Sequence, residues 1–211
     1  ALITDTRFLD HRTGNHPETP RRLEVIQRAF ESDSDLWERV KQIAPRPATD
    51  DDIKRCHSLH LIDDVREAVA NGVDRLDADT VISGQSFEVA SLAAGAALTA
   101  VDLVMNDEAD NVFAAVRPPG HHAGSEMAMG FCLFNNVAIG ARYAQDVHHL
   151  DRVLVIDWDV HHGNGTQEIF YHDPSVFYFS IHQYPYYPGT GARTEEGEGL
   201  GAGSILNVPL R

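Results

Sequence analysis

The stretch VLVIDWDVHHGNGT, Val153 to Thr166, decides how this chain is read. Together with Arg152, its opening residues form RVLVID, an apolar run that ends on a carboxylate and predicts a buried strand over 152–157. Consecutive apolar residues, without alternation, are the habit of parallel strands covered on both faces. In extended backbone, side chains two apart share a face, so Asp157, Asp159 and His161 are expected to point the same way from the strand's carboxyl end. Ligands bind at that edge in open parallel sheets. A buried carboxylate is costly unless it is paired or metal-bound, and here two lie beside an imidazole. A cation resolves that cost, and carboxylate plus imidazole without thiolate suits zinc with one position open for water. The alternative is that these acids cap the following helix or make ordinary hydrogen bonds.

Upstream, NVFAAV (111–116) reads as a second buried strand, followed at once by RPPGHHA, Arg117 to Ala123. Two prolines and a glycine make a stiff loop, and His121 and His122 follow it. Neutral imidazoles exchange protons near pH 7, as an acid/base pair beside an activated water must. A lone His-His pair is more often a surface accident, and His148-His149, in a polar connector, reads as solvated surface.

Further out, the chain starts with a short strand-like segment. HPETPRRLEVIQRAF then reads as a helix entered through Pro20, with Leu23, Ile26 and Phe30 at i, i+3, i+7. Helices are also expected over 51–71, over the alanine-rich SFEVASLAAGAALTAVDLVMN (86–106), and over 134–145 and 165–171; strands are expected over 176–181 and 204–210. The breadth of the apolar face on 86–106 predicts a helix sandwiched between other elements. Strands alternating with helices give the fold class α/β, a mostly parallel sheet with helices on both faces, in one domain over 1–211. Residues 184–203 hold much of the glycine without any phosphate-binding spacing and read as a mobile loop.

The formal charge of −15 argues against a nucleic-acid-binding surface and is compatible with a cationic substrate, although acidic surface also simply maintains solubility. Cys56 and Cys132 form no CxxC pattern, which disfavours disulfides and a thiolate metal site and points to a reducing, cytoplasmic setting. No secretion signal opens the chain, and no apolar run approaches the roughly 18 residues of a membrane span.

With these segments in hand, the chain resembles the histone deacetylase superfamily, which includes acetylpolyamine amidohydrolases and bacterial deacetylase-like enzymes. The marks run along nearly all 211 residues: HPETPRRL, LDADTVIS, RPPGHHA, GFCLFNN, VIDWDVHHGNGTQ, FSIHQYPYYPGTG and LNVPL. RPPGHHA, and Asn164 where many class I members carry Asp, lean toward the class II and bacterial branch. The resemblance implies an arginase/deacetylase-like fold with Asp159 and His161 as two of three zinc ligands. It implies His121 and His122 as tandem catalytic histidines, paired with Asp157 and Asn164 respectively. It places Gly130, Phe131 and Tyr187 in the wall of a narrow acyl-lysine tunnel and Asp79 at its rim, holding the substrate backbone. Potassium is implied at Asp157, Asp159, His161, Ser180 and Ile181, several through backbone carbonyls, and a second monovalent ion at Phe170, Asp173 and Val176. The family's third zinc ligand and its oxyanion-stabilising tyrosine lie in later FDAH-like and GGY-like segments that do not occur in 1–211, so a truncated chain is expected.

The implied reaction is zinc-dependent hydrolysis of acetylated lysine or acetylated polyamines. His122 serves as proton carrier because Asn164 leaves it easy to deprotonate, and His121 steadies the developing negative charge. Two other readings stay open. One is a non-catalytic, deacetylase-shaped binding module. The other is an arginase-type enzyme, which needs two manganese ions and more carboxylates than occur here. Either acetylated substrate offers an acetamide on a slim alkyl stem, and an oligomer is compatible with the sequence.

Overall fold

The structure, a computed structural model, describes residues 1–211. The chain opens with β1 (Leu2–Ile3) and continues through α1 (Arg21–Ser32), α2 (Ser34–Arg39), β2 (Gln42–Ile43), α3 (Asp50–Ile53) and α4 (Leu59–Ala70) to α5 (Ser86–Met105). Then come β3 (Phe113–Ala114), α6 (Asn136–His148), β4 (Val153–Asp157), α7 (Asn164–Phe170), β5 (Val176–Gln183) and β6 (Ile205–Leu210). The strands pair in parallel as two three-stranded sheets, β2-β1-β3 and β4-β5-β6. The α/β class expected from the alternation is what the structure shows.

The alanine-rich α5 joins the two halves of the core. Its Ala90, Ala94 and Leu98, on one stripe, pack with Ile139, Val155, Phe170 and Tyr178. Val89, Leu92, Ala93, Ala96 and Leu103 face Leu2, Ile3, Phe8 and Leu23. At 20 residues, α5 is long and apolar enough to cross a membrane, yet more than half of it is buried in the protein, as a sandwiched core helix should be.

In the second sheet, Val155, Tyr178 and Ile205 face the core, while Leu154 (58% exposed), Ile156 (52%) and Leu206 (40%) lie on the opposite face. The helices of residues 1–211 therefore cover one side of β4-β5-β6.

Where expected and observed elements differ, local chemistry explains it. The helix expected over 51–71 is broken at Cys56–Ser58. Thr49 closes a capping box on α3, the Ser58 hydroxyl accepts from Leu61 N at 3.2 Å to start α4, and His57 turns inward between them. The strand expected over 111–116 pairs only at Phe113–Ala114, because its partner β1 offers two residues. Two-residue β2 and the one-and-a-half turns of α2, capped by Asp33, carry no periodicity to read. His148 is not solvated surface: at the last turn of α6 its Nε2 lies 2.8 Å from Asp102 Oδ1, which also accepts from the Tyr143 hydroxyl.

Candidate active site

The loop after β3 is held by the start of α7. A Cβ on Gly165 would lie 2.2 Å from the carbonyl oxygen of Ala123, so only glycine permits this approach, and Thr166 N donates to His121 O at 3.1 Å. The two histidines so placed have rings 4.0 Å apart and different partners. His121 Nδ1 is 3.0 Å from Asp157 Oδ2, which also accepts from the Tyr178 hydroxyl at 2.9 Å. Burial pushes the Asp157 carboxyl up, but the donors from His121, Asp159 N and Tyr178 outweigh it and hold the group below its ordinary value.

His122 Nδ1 is 2.8 Å from Asn164 Oδ1, while the Asn164 amide nitrogen donates to Met129 Sδ at 3.4 Å and so fixes which way the amide points. An amide oxygen only accepts, so His122 carries its proton on Nδ1 and leaves the Nε2 lone pair free. Burial first, then the neighbouring His121, pushes the His122 imidazole down to about 4, which keeps it neutral at pH 7.

Strand alternation does not place Asp159 and His161, contrary to the expectation from spacing. β4 ends at Asp157, and two side-chain-to-backbone turns carry the chain onward: Asp159 N donates to Asp157 Oδ1 at 3.1 Å and His161 N to Asp159 Oδ1 at 2.8 Å. The acids do not cap α7, whose N-cap is Gly163 without a side-chain bond. His161 Nδ1 and Asp159 Oδ1 stand 3.1 Å apart on side chains that are nearly half exposed. Two ligands of one tetrahedral zinc lie roughly 3.3 Å apart, so this pair fits such an ion in chemistry and in spacing. No group of three or more His, Cys, Asp or Glu side chains converges around it.

These groups open onto a cleft of about 580 Å³ that His121, His122, Asp159 and His161 share with Asp79, Gly130, Phe131 and Tyr187. The Tyr187 ring stands edge-on to His122 at 5.0 Å and to His161 at 5.8 Å. Burial, then the charges of Asp79 and Asp77, raise the Tyr187 phenol to about 12, and burial with Asp77 raises the Asp79 carboxyl. All the expected tunnel residues thus meet around the tandem histidines.

The expected potassium residues are also neighbours. Asp157 and Ser180 are register partners in β4 and β5, with Ile181 next along. Phe170, Asp173 and Val176 cluster between α7 and β5, but the Asp173 carboxylate is taken by Arg142, Ser175 N and the Ser175 hydroxyl, leaving only main-chain oxygen to offer an ion there.

Several supporting residues were not foreseen. Tyr178 holds Asp157 and sits two residues before Ser180 on the same inner face, a parity that β5 did reveal. Buried Arg117 makes a bidentate pair with buried Glu18 (2.5 and 2.6 Å) and donates to the carbonyls of Phe8 and His11. His57 bridges Gly124 O (2.8 Å) and Asn135 N (2.8 Å) behind the loop that bears His121 and His122. Nothing local in the sequence marks the last two.

One imidazole poised to take a proton, another backed by a carboxylate, and a carboxylate–imidazole pair alongside are the equipment of hydrolysis, here mounted on a parallel α/β frame. Residues 16–211 match the histone deacetylase domain, and the chain belongs to the histone deacetylase family. It is 42% identical over 197 residues to a histone deacetylase-like amidohydrolase of Pseudomonas aeruginosa, covering 92% of this chain and 50% of that protein. It is 41% identical over 202 residues to the polyamine deacetylase HDAC10 of Danio rerio, covering 92% of this chain and 30% of the relative. The crystal structure of the HDA15 HD domain superposes with a TM-score of 0.94 at 39% identity, over 99% of this chain and 61% of that one. The chain therefore spans half or less of the length of these two curated relatives.

Proposed function

We propose that the chain carries the acetamide-hydrolysing site of a zinc-dependent deacetylase acting on acetylated lysine or acetylated polyamines. One observation carries this reading: the tandem histidines face different partners, His122 a neutral amide and His121 a carboxylate. Relatives named as a deacetylase-like amidohydrolase and a polyamine deacetylase support the substrate class.

Zinc held by Asp159 and His161 would supply Lewis-acid polarisation of the acetyl carbonyl. The proton work belongs to the chain. His122 takes a proton from the attacking water on Nε2 as the C–O bond forms, then delivers it to the departing amine nitrogen as the C–N bond breaks, and so ends as it began. His121, anchored on Asp157, steadies the negative charge that develops in the transition state. Phe131 and Tyr187 flank the alkyl stem, Gly130 leaves it room, and Asp79 accepts a hydrogen bond from the substrate at the rim. We place a structural potassium ion on the main chain around Asp157, Asp159, His161, Ser180 and Ile181, and a second monovalent ion on main-chain oxygens near Phe170, Asp173 and Val176.

The full-length gene product should be assayed against acetyl-lysine peptides and acetylpolyamines side by side, with a chelator control. Turnover of either, abolished by chelation and restored by zinc, supports the reading and names the substrate. His122→Ala should lower kcat by about 100-fold or more, and near-normal turnover in that variant overturns the role given to His122. Binding of both substrates without hydrolysis favours a binding module, and two manganese ions per chain favour an arginase-type enzyme.

A further inference from the structure

We propose that Glu195 is a positioning residue for this site: its carboxylate fixes the direction of a buried hydrogen-bond chain through Gln167 and His162, and so holds the loop bearing Tyr187 against the turn bearing His161. The proposal rests on the hydrolytic reading above for its consequence, but not for its geometry.

The glycine-rich segment 184–203 has the composition of a mobile loop, yet it is stitched down at one carboxylate. Glu195 Oε2 accepts from Gln167 Nε2 at 2.6 Å and from Gly191 N at 3.0 Å, and Oε1 accepts from Ala192 N at 3.0 Å. Burial raises this carboxyl, but those three donors outweigh it and hold the group below its usual range. An ionised carboxylate only accepts, so the end of Gln167 that faces it must be the NH2.

That choice propagates. With its nitrogen committed to Glu195, Gln167 turns its Oε1 toward His162 Nε2 at 3.0 Å and accepts from Asn207 Nδ2 at 2.7 Å. Amide oxygen cannot donate, so His162 must carry its proton on Nε2, and its Nδ1 accepts from the Thr190 hydroxyl at 2.8 Å. His162 is completely buried, with its ring centroid 4.7 Å from that of His182. His182 Nε2 in turn donates to Gly191 O at 2.9 Å, and its Nδ1 stands 2.8 Å from the Ser180 hydroxyl oxygen. The two imidazoles thus tie Thr190 and Gly191 to the body of the protein.

The chain has two ends that matter. His162 directly follows His161 in sequence, and Thr190 comes three residues after Tyr187. Gln167, Thr190 and Glu195 stay outside the cleft, so Glu195 acts on the chemistry only through what it holds in place.

Glu195→Gln is the decisive variant because it keeps the shape and adds a donor. All three partners of Glu195 are donors, so the new NH2 must oppose one of them. At the Oε1 position it opposes Ala192 N, and at the Oε2 position it opposes Gly191 N whichever way Gln167 turns. A main-chain donor beside Thr190 therefore loses its acceptor and the loop bearing Tyr187 is loosened, while Asn207 Nδ2 still donates to Gln167 Oε1 and keeps its direction. In the full-length protein, imidazole nitrogen NMR should show His162 as a single Nε2–H tautomer. Glu195→Gln should keep that tautomer and lower kcat/KM about 10- to 100-fold, largely through KM, as the loop loosens. Glu195→Asp, which remains acceptor-only, should keep the Nε2–H tautomer and more of the activity. An Nδ1–H tautomer in the unsubstituted protein overturns the proposal, and so does a Glu195→Gln variant with unchanged kcat/KM. If the unsubstituted protein hydrolyses no acetamide, the deacetylase reading fails, while the tautomer measurement still decides this one.

Discussion

Gly130 and Phe131 both sit in the left-handed region, at φ 57° and 70°, and for a phenylalanine this costs about 1 kcal/mol or more. The Thr80 hydroxyl, fully buried, repays part of it by accepting from Phe131 N at 3.2 Å, and the His16 ring packs edge-on against Phe131 at 4.6 Å. Gly130 is constrained on a second count. A Cβ there would lie 2.6 Å from the His122 ring and 2.7 Å from the Tyr187 hydroxyl. Gly130→Ala should therefore push His122 and Tyr187 apart while straining the backbone. We expect kcat/KM on acetamide substrates to fall by about 100-fold and stability by roughly 1 kcal/mol. Steady-state kinetics and urea titration check the two parts separately. An alanine variant with kinetics like those of the unsubstituted protein means that the space between His122 and Tyr187 is not the substrate's path.

At the scale of elements, buried histidines join loops to helices and make the fold sensitive to acid. Burial pushes His57, between α3 and α4, down to about 4, and it does the same to His11, which contacts Ser86 at the start of α5. Both rings take up protons near 6.5 once unfolded, so between about 6.5 and 4 the unfolded chain holds more protons than the folded one. Stability is intact above that window and falls as pH drops through it, by about 3 kcal/mol per ring. Urea midpoints at pH 7.5 and 5 should differ accordingly, and His57→Phe should show a shallower dependence whatever its absolute stability. An unchanged slope would remove His57 from this role. The same elements show how far the sequence could be read. The strands β4 to β6 and the helices α1 and α5 were legible from their apolar runs and stripes, and α6 and α7 from their alternation with those strands. The break at Cys56–Ser58 was not, since a cap and one inward-turned ring decide it. Spacing brought Asp157, Asp159 and His161 together for the wrong geometric reason: turns do what strand alternation was expected to do. The partners of His121 and His122 were legible only through family resemblance, and Glu195 was hidden in a glycine-rich loop.

Over the full chain, the least legible feature is a buried ion pair between residues far apart in sequence. Arg117 and Glu18 stand 99 residues apart, and no local pattern announces that both are buried, at 2% and 0% side-chain exposure. Their fork-to-fork geometry suits Arg and a carboxylate, and the guanidinium also satisfies the carbonyls of Phe8 and His11, so the N-terminal segment is fastened to the base of the loop that bears His121 and His122. A buried pair of this kind contributes little net stability compared with an apolar replacement, but breaking it is expensive, because the survivor keeps its desolvation penalty. Arg117→Met should therefore cost about 3–5 kcal/mol, leaving Glu18 only its more distant neighbours His11 and Arg22, at 3.6 and 3.9 Å, and two carbonyls without their donor. Adding Glu18→Leu should recover part of that loss, so that the double variant is more stable than the sum of the single losses allows. Denaturant titrations of the four species measure the coupling directly. Additive losses would mean that the two residues stabilise the fold independently. Strong coupling, with activity falling in Arg117→Met even under conditions where it remains folded, would show that the position of His121 and His122 depends on a segment a hundred residues upstream.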